Sequence, residues 1–163
     1  MTQPDAPSAR HRMTELLGDS VYQALGLMET LDEERNALEH QDVAALLAIV
    51  EQKETCVREL RRLDEQRSQL CANAGFPAGP EQMDSMLGWC DVDGEVTSAW
   101  AHLMEIATEC NSRNLTNGSI IRGRKQQIDT GLAVVRGGAP GADTYSRSGM
   151  EPSGASLRPI AEA

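Results

Sequence analysis

The chain has 163 residues, 15 of them basic and 25 acidic, for a formal net charge of −10 and a pI near 4.7. That length is one domain plus tails, and the charge argues against a general nucleic-acid binder or a protein docked on anionic lipid, both of which need a basic face. Apolar residues make up 40% but aromatics only 3%, so the core must be built from Leu, Ile, Val, Met and Ala, which suits packed helices over a β-sandwich.

Residues 1–10 hold Pro4, Pro7 and Ser8 without periodicity and read as a flexible N-terminal arm. Met1–Arg12 lacks an apolar leader segment, and no run nears the roughly 18 apolar residues that span a bilayer. A helix is expected over 11–40, where Leu17, Val21, Ala24, Met28, Leu31 and Leu38 follow steps of three and four with one turn skipped at Arg35. Leu16, Leu25 and Leu27 widen the stripe, and Glu29, Asp32, Glu33, Glu34 and Arg35 are assigned to the outer face. Gly18 and Gly26 each cost this helix about 1 kcal/mol against Ala, so tertiary packing has to hold it.

His40-Gln41-Asp42 is the expected break, with Asp42 as N-cap of a second helix over 43–73. Val43, Leu46, Leu47, Val50, Val57, Leu60, Leu63 and Leu70 form its apolar set, flanked by Lys53, Glu54 and Arg61. Two helices of about 45 Å each joined so tightly fold back as an antiparallel hairpin. A single helix running through Asp42 is the competing reading. Phe76-Pro77-Ala78-Gly79-Pro80 interrupts regular structure, and a short helix over 81–89 carries Met83, Met86 and Leu87. Asp91-Val92-Asp93-Gly94 is a turn. Tested against the calcium-loop template with Gly94 at the sharp turn, it places Trp89 and Trp100 at essential ligand positions, and the calcium reading fails.

A third long helix is expected over 95–136, through Val96, Trp100, Leu103, Ile106 or Ala107, and Cys110, with Trp100 as a core anchor and a break near 118 as the alternative. It contains a ladder of Asn111, Asn114 and Asn117, poor helix formers in register on one face. The readings that stand for the ladder are a buried polar layer fixing register, direct contact with a partner, and solvent exposure or a break at Asn117-Gly118. Beyond it, Ile121, Ile128, Leu132 and Val135 form an apolar stripe that few faces of the chain remain to cover, which points to a partner site. Arg122, Arg124 and Lys125 flank that stripe or complement the helix C-terminus. Gly137 is the expected C-cap, and residues 137–163, rich in Gly, Pro and Ser, read as a disordered tail.

The sequence offers no catalytic constellation. Cys56, Cys71, Cys90 and Cys110 match no zinc spacing and read as free thiols of a reducing cytoplasm. His11, His40 and His102 are scattered, and His102 with Glu105 is better explained as a solvated helix face than as a metal site. No phosphate-cradling glycine loop and no nucleophile elbow occur. The expectation is therefore no enzyme, no cofactor and no metal.

Asn114-Leu115-Thr116-Asn117-Gly118-Ser119-Ile120-Ile121, placed after Trp100 and Leu103, resembles the signature of the FlgN family of flagellar export chaperones. Lys53-Glu54-Thr55-Cys56-Val57-Arg58-Glu59-Leu60 and Leu63-Asp64-Glu65-Gln66-Arg67 are similar to that family's second helix. Tyr145-Ser146-Arg147-Ser148-Gly149 and Ile160-Ala161 resemble its tail. The resemblance covers roughly residues 15–161, and only the Asn-x-x-Asn-Gly core is moderately specific. It implies an all-α, elongated antiparallel hairpin or bundle. The function implied is a cytoplasmic chaperone that holds the hook–filament junction proteins FlgK and FlgL and delivers them to the type III export gate protein FlhA, with no nucleic acid and no membrane insertion. Carried over by motif, the implied client-binding residues are Asn114, Asn117, Gly118, Ile121, Ile128, Leu132 and Val135, and Tyr145 is the implied gate-docking residue. Gly123 and Gly131 depart from a strong client helix, which leaves open whether it forms before the client arrives. The alternatives are a structural coiled-coil adaptor, for which the hairpin suffices, or a chaperone for another secreted helical client.

Overall fold

The computed structural model describes residues 4–137. The described residues form α1 (Ala6–His40), α2 (Val43–Asn73), α3 (Gln82–Cys90) and α4 (Glu95–Val135), with no strand among them. The all-helical class expected from composition is the class found. The chain divides into two compact units, Met1–Gly123 and Arg124–Ala163.

Helix α1 starts five residues before the expected boundary. Asp5 is its N-cap, accepting from the Ser8 N–H at 3.2 Å, and Pro7 occupies the first turn. The prolines that read as disorder are thus an N-terminal signature, because a first-turn residue has no intrahelical use for its N–H. Residues 6–10 consequently belong to the helix and not to a flexible arm, and Ala9 is fully buried.

The break between α1 and α2 falls at the expected place, and the continuous-helix reading does not hold. Gln41 takes a left-handed conformation, φ 59°, and its N–H bonds back to the last turn of α1. The Asp42 N–H donates to the Ala37 carbonyl at 3.0 Å, and the Asp42 carboxylate accepts from the Ala45 N–H at 2.9 Å. Two residues therefore stop one helix and start the next.

Within the first unit the core is assembled from Met13, Leu17, Ala24 and Leu31 of α1, Cys71 of α2, Met86 and Cys90 of α3, and Val96, Leu103 and Cys110 of α4. Phe76 packs on Trp89 with ring centroids 5.7 Å apart, tying the α2–α3 connection to α3. Helix α2 differs from expectation. Only Ile49, Leu63 and Cys71 are buried, whereas Val43, Leu47 and Val50 are exposed. Its apolar residues wrap around two faces, and a hairpin partner covers only one.

The Asp91–Gly94 turn caps α4. The Asp91 carboxylate accepts from the N–H groups of Val96 (3.2 Å) and Thr97 (2.9 Å) and from the Thr97 hydroxyl (2.6 Å). Burial pushes its pKa upward, but these hydrogen bonds outweigh that and hold it below the ordinary carboxylate range. Arg10 of α1 pairs with Asp93 and Glu95, joining the starts of α1 and α4. Helix α4 then runs unbroken through Gly118, which removes the break near 118. In the second unit, residues 124–135 are helical, and Gly137 at φ 79° closes the helix by donating to the Val134 carbonyl at 3.1 Å. Tyr145 and the expected tail beyond Gly137 lie outside the described residues.

Candidate partner-binding site

Three features of the described residues bear on binding. The first is a polar layer where α1, α2 and α4 meet. Glu34, assigned from spacing to the outer face of α1, is instead only 5% exposed. Its carboxylate accepts two hydrogen bonds from Lys53 of α2, each 3.0 Å, and one from the Asn117 amide at 2.8 Å. The same amide nitrogen reaches the Leu31 carbonyl at 2.8 Å, and the Asn117 oxygen accepts from Arg35 Nε at 3.4 Å. Lys53 also donates to Asn114 at 2.7 Å. A buried carboxylate is costly unless paired and hydrogen-bonded, and here both conditions are met. Glu34 falls between Leu31 and Leu38 at steps of three and four. It therefore sits in the apolar stripe of α1, and the skipped turn at Arg35 concealed it.

Asn117, expected from the family motif to touch a client, is 1% exposed and occupied by α1. Asn114 is exposed but engaged by Lys53, and Asn111 lines the groove described next. Gly118 is half-buried, with Arg122 Nη1 3.3 Å from where a Cβ would sit. The ladder is thus divided, one amide inside the packing and two at its margin.

The second feature is a groove of about 580 Å³ in the first unit, lined by Leu27 and Leu31 of α1, Val57 and Leu60 of α2, and Trp100 and Met104 of α4. Trp100, expected as a core anchor, is half-buried at this opening, with the Arg67 guanidinium 4.8 Å from its ring centroid. Arg67 also pairs with Asp64. Sequence reasoning missed this groove. Its signal was the surplus of apolar positions on α2, more than one stripe can hold.

The third feature is the expected stripe. Ile121 in the first unit is exposed, and in the second unit Ile128 is 63%, Leu132 46% and Val135 84% exposed. Ile128, Leu132 and Val135 follow steps of four and three along residues 124–135, the spacing of a helix face that seats on another helix.

All four cysteines are free, and burial pushes the thiols of Cys71, Cys90 and Cys110 above the ordinary range. Among the described residues, no group of three or more His, Cys, Asp or Glu could hold a metal ion. No helix of these residues is long and apolar enough to cross a membrane.

Among the described residues the fold is all-helical, with packed helices, a polar layer and apolar faces left open. The family model described as FlgN protein matches residues 11–153, and the chain belongs to the FlgN family, a family of flagellar export chaperones that bind hook-associated proteins. No curated protein and no solved structure matches the chain.

Proposed function

We propose that this chain is a cytoplasmic chaperone for FlgK and FlgL, holding them through the apolar stripe of its C-terminal helix until delivery to FlhA. The observation that carries this reading is the exposure of Ile128, Leu132 and Val135 at helical spacing. Such a face offers anchors to a complementary helix of the client, whose own sticky surface is covered in the process. Ile121, exposed in the first unit, is proposed as a further client contact. Asn114, Asn117 and Gly118 serve by fixing the register of α4 against α1 and α2, since the Asn117 amide is fully used within the chain. Tyr145 is proposed to dock on FlhA.

Co-expression with FlgK and FlgL tests the reading. The full-length chain is expected to retain both, and a chain ending at Asn117 neither. Unchanged capture by the truncated chain would place the site elsewhere, and no capture by the full-length chain would favour the coiled-coil adaptor or a different client. Tyr145→Ala is expected to weaken FlhA binding while leaving client capture intact.

A further inference from the structure

We infer that the groove between α1, α2 and α4 is a second seat for the client, taking the apolar row of an amphipathic helix other than the one held by the stripe; this rests on the client reading given above. On α2 the groove is walled by Lys53, Val57, Leu60, Asp64 and Arg67, and on α4 by Trp100, Met104, Ala107, Asn111 and Asn114. Both rows step by four and three, the spacing of one helix face, and both run for about 21 Å. Each end of the groove is tied across. Lys53 donates to Asn114 at 2.7 Å, and the Arg67 guanidinium lies 4.8 Å from the Trp100 ring centroid. The two walls are therefore antiparallel and in register, with Leu27 and Leu31 of α1 lining the space between them. Three sides of a four-helix bundle are in place, and the groove is where the apolar row of a fourth helix enters.

The charges at the mouth select a helix. A narrow apolar cleft would also accommodate an acyl chain, but an acyl chain needs a free cation for its carboxylate. Lys53 and Arg67, the cations at the two ends, are already paired with Glu34 and Asp64. Arg61 and Glu65 line the groove on α2 one helical turn apart, both exposed and without an ion-pair partner among the described residues. On α4 the next row outward, Ala101, Met104, Thr108, Asn111 and Leu115, is exposed and uncharged. The occupant is thus a helix with apolar residues at steps of three and four, an acidic and a basic residue one turn apart on one flank, and no charge on the other. Flanking charges of this kind set partner and orientation in paired helices.

Two seats on one chain make the second engagement intramolecular, which raises the overall affinity above that of either seat alone. Neither seat by itself is expected to survive capture from co-expressing cells, in keeping with the loss expected of a chain ending at Asn117. Arg61 and Glu65 give the first unit a part in choosing the client.

Calorimetric titration of FlgK into the full-length chain tests the inference. Met104→Glu places a charge where the occupant's apolar row would sit and should raise the dissociation constant at least about tenfold, whereas Met104→Leu should bind as wild type does. Arg61→Glu should raise it about two- to fivefold, the range for an exposed ion pair. Both positions are exposed, so circular dichroism and the thermal midpoint should not change. A benzoylphenylalanine in place of Met104 should photo-crosslink to an apolar helix of FlgK different from the one reached by the same probe in place of Leu132. Met104→Glu binding FlgK as tightly as wild type overturns the inference, and so does crosslinking of both probes to one helix. Leu132→Asp separates the two readings. Binding weakened by Leu132→Asp but not by Met104→Glu keeps the stripe and sinks the groove, and the opposite pattern keeps the groove and sinks the stripe. A wild type that binds neither FlgK nor FlgL sinks both.

Discussion

The cluster of Glu34, Lys53 and Asn117 shows what one buried carboxylate demands of its neighbours. Removing the cation leaves the charge stranded, and breaking a buried pair in this way costs about 3–5 kcal/mol. Lys53 is partly solvated, with a side chain 25% exposed, so Lys53→Ala is expected at or below the low end of that range, measured by urea denaturation. Asn117→Ala removes one bond at Glu34 and the second of the two bonds at the Leu31 carbonyl, which keeps its partner within α1, and a loss of about 1–3 kcal/mol is expected. Replacing Glu34, Lys53 and Asn117 together by apolar residues of similar volume should recover most of that stability, because paired burial seldom outperforms good packing. The sequence showed these residues but not their meeting. Lys53 read as a flank, Glu34 as an outer-face residue and Asn117 as one rung of a ladder. Glu34 and Asn117 are buried on their own helices and Lys53 is half-buried on its own, and only the crossing of three helices brings them together. Cysteine burial leads to a further expectation: the native chain should show one readily titrated thiol, Cys56, with Cys71, Cys90 and Cys110 reacting only after unfolding.

Helix ends carry much of the local specification, and they respond to acid. Asp91 is held below its ordinary pKa by its bonds to Val96 and Thr97. A depressed carboxylate contributes stability that is complete above its unfolded pKa, about 3.9, and is lost as pH falls through its folded value. Asp91→Asn should therefore be less stable than wild type at neutral pH. That difference should shrink in denaturation curves recorded below about pH 4. Asp5, hydrogen-bonded by the Ser8 side chain and N–H, is shifted the same way and adds to the acid sensitivity of α1. Within the second unit, a Cβ at Gly131 would meet nothing within 4 Å. Gly131→Ala should stabilise that helix by up to about 1 kcal/mol and slow release of a bound client, read as a lower dissociation rate. Interior spacing made α1, α2 and α4 legible, and capping chemistry made the Gln41-Asp42 break legible. The start of α1 was not, because proline in a first turn and proline in a loose arm look alike until the Asp5 cap is seen.

Among the described residues, those of the principal core lie between Ala9 and Cys110. A chain ending at Gly123 should accordingly keep a single cooperative thermal transition with little loss in midpoint, while losing the stripe formed by Ile128, Leu132 and Val135. An early, broad transition in that truncation would show that residues 124–163 contribute to the fold. Family membership was legible from Asn114 to Ile121, since that motif is local. The groove was not, since it is made by what three helices leave uncovered. The two-residue junction at Gln41-Asp42 has one more consequence, and it concerns synthesis. Residues just before and just after the junction become neighbours as soon as they have left the ribosome, with almost no loop to close. The α1–α2 hairpin can thus form while α4 is still being translated, and Ile128, Leu132 and Val135 emerge onto a scaffold already built. These three exposed apolar residues thus lie on the last of the described helices to be made, which shortens the time they spend beside an unfolded one.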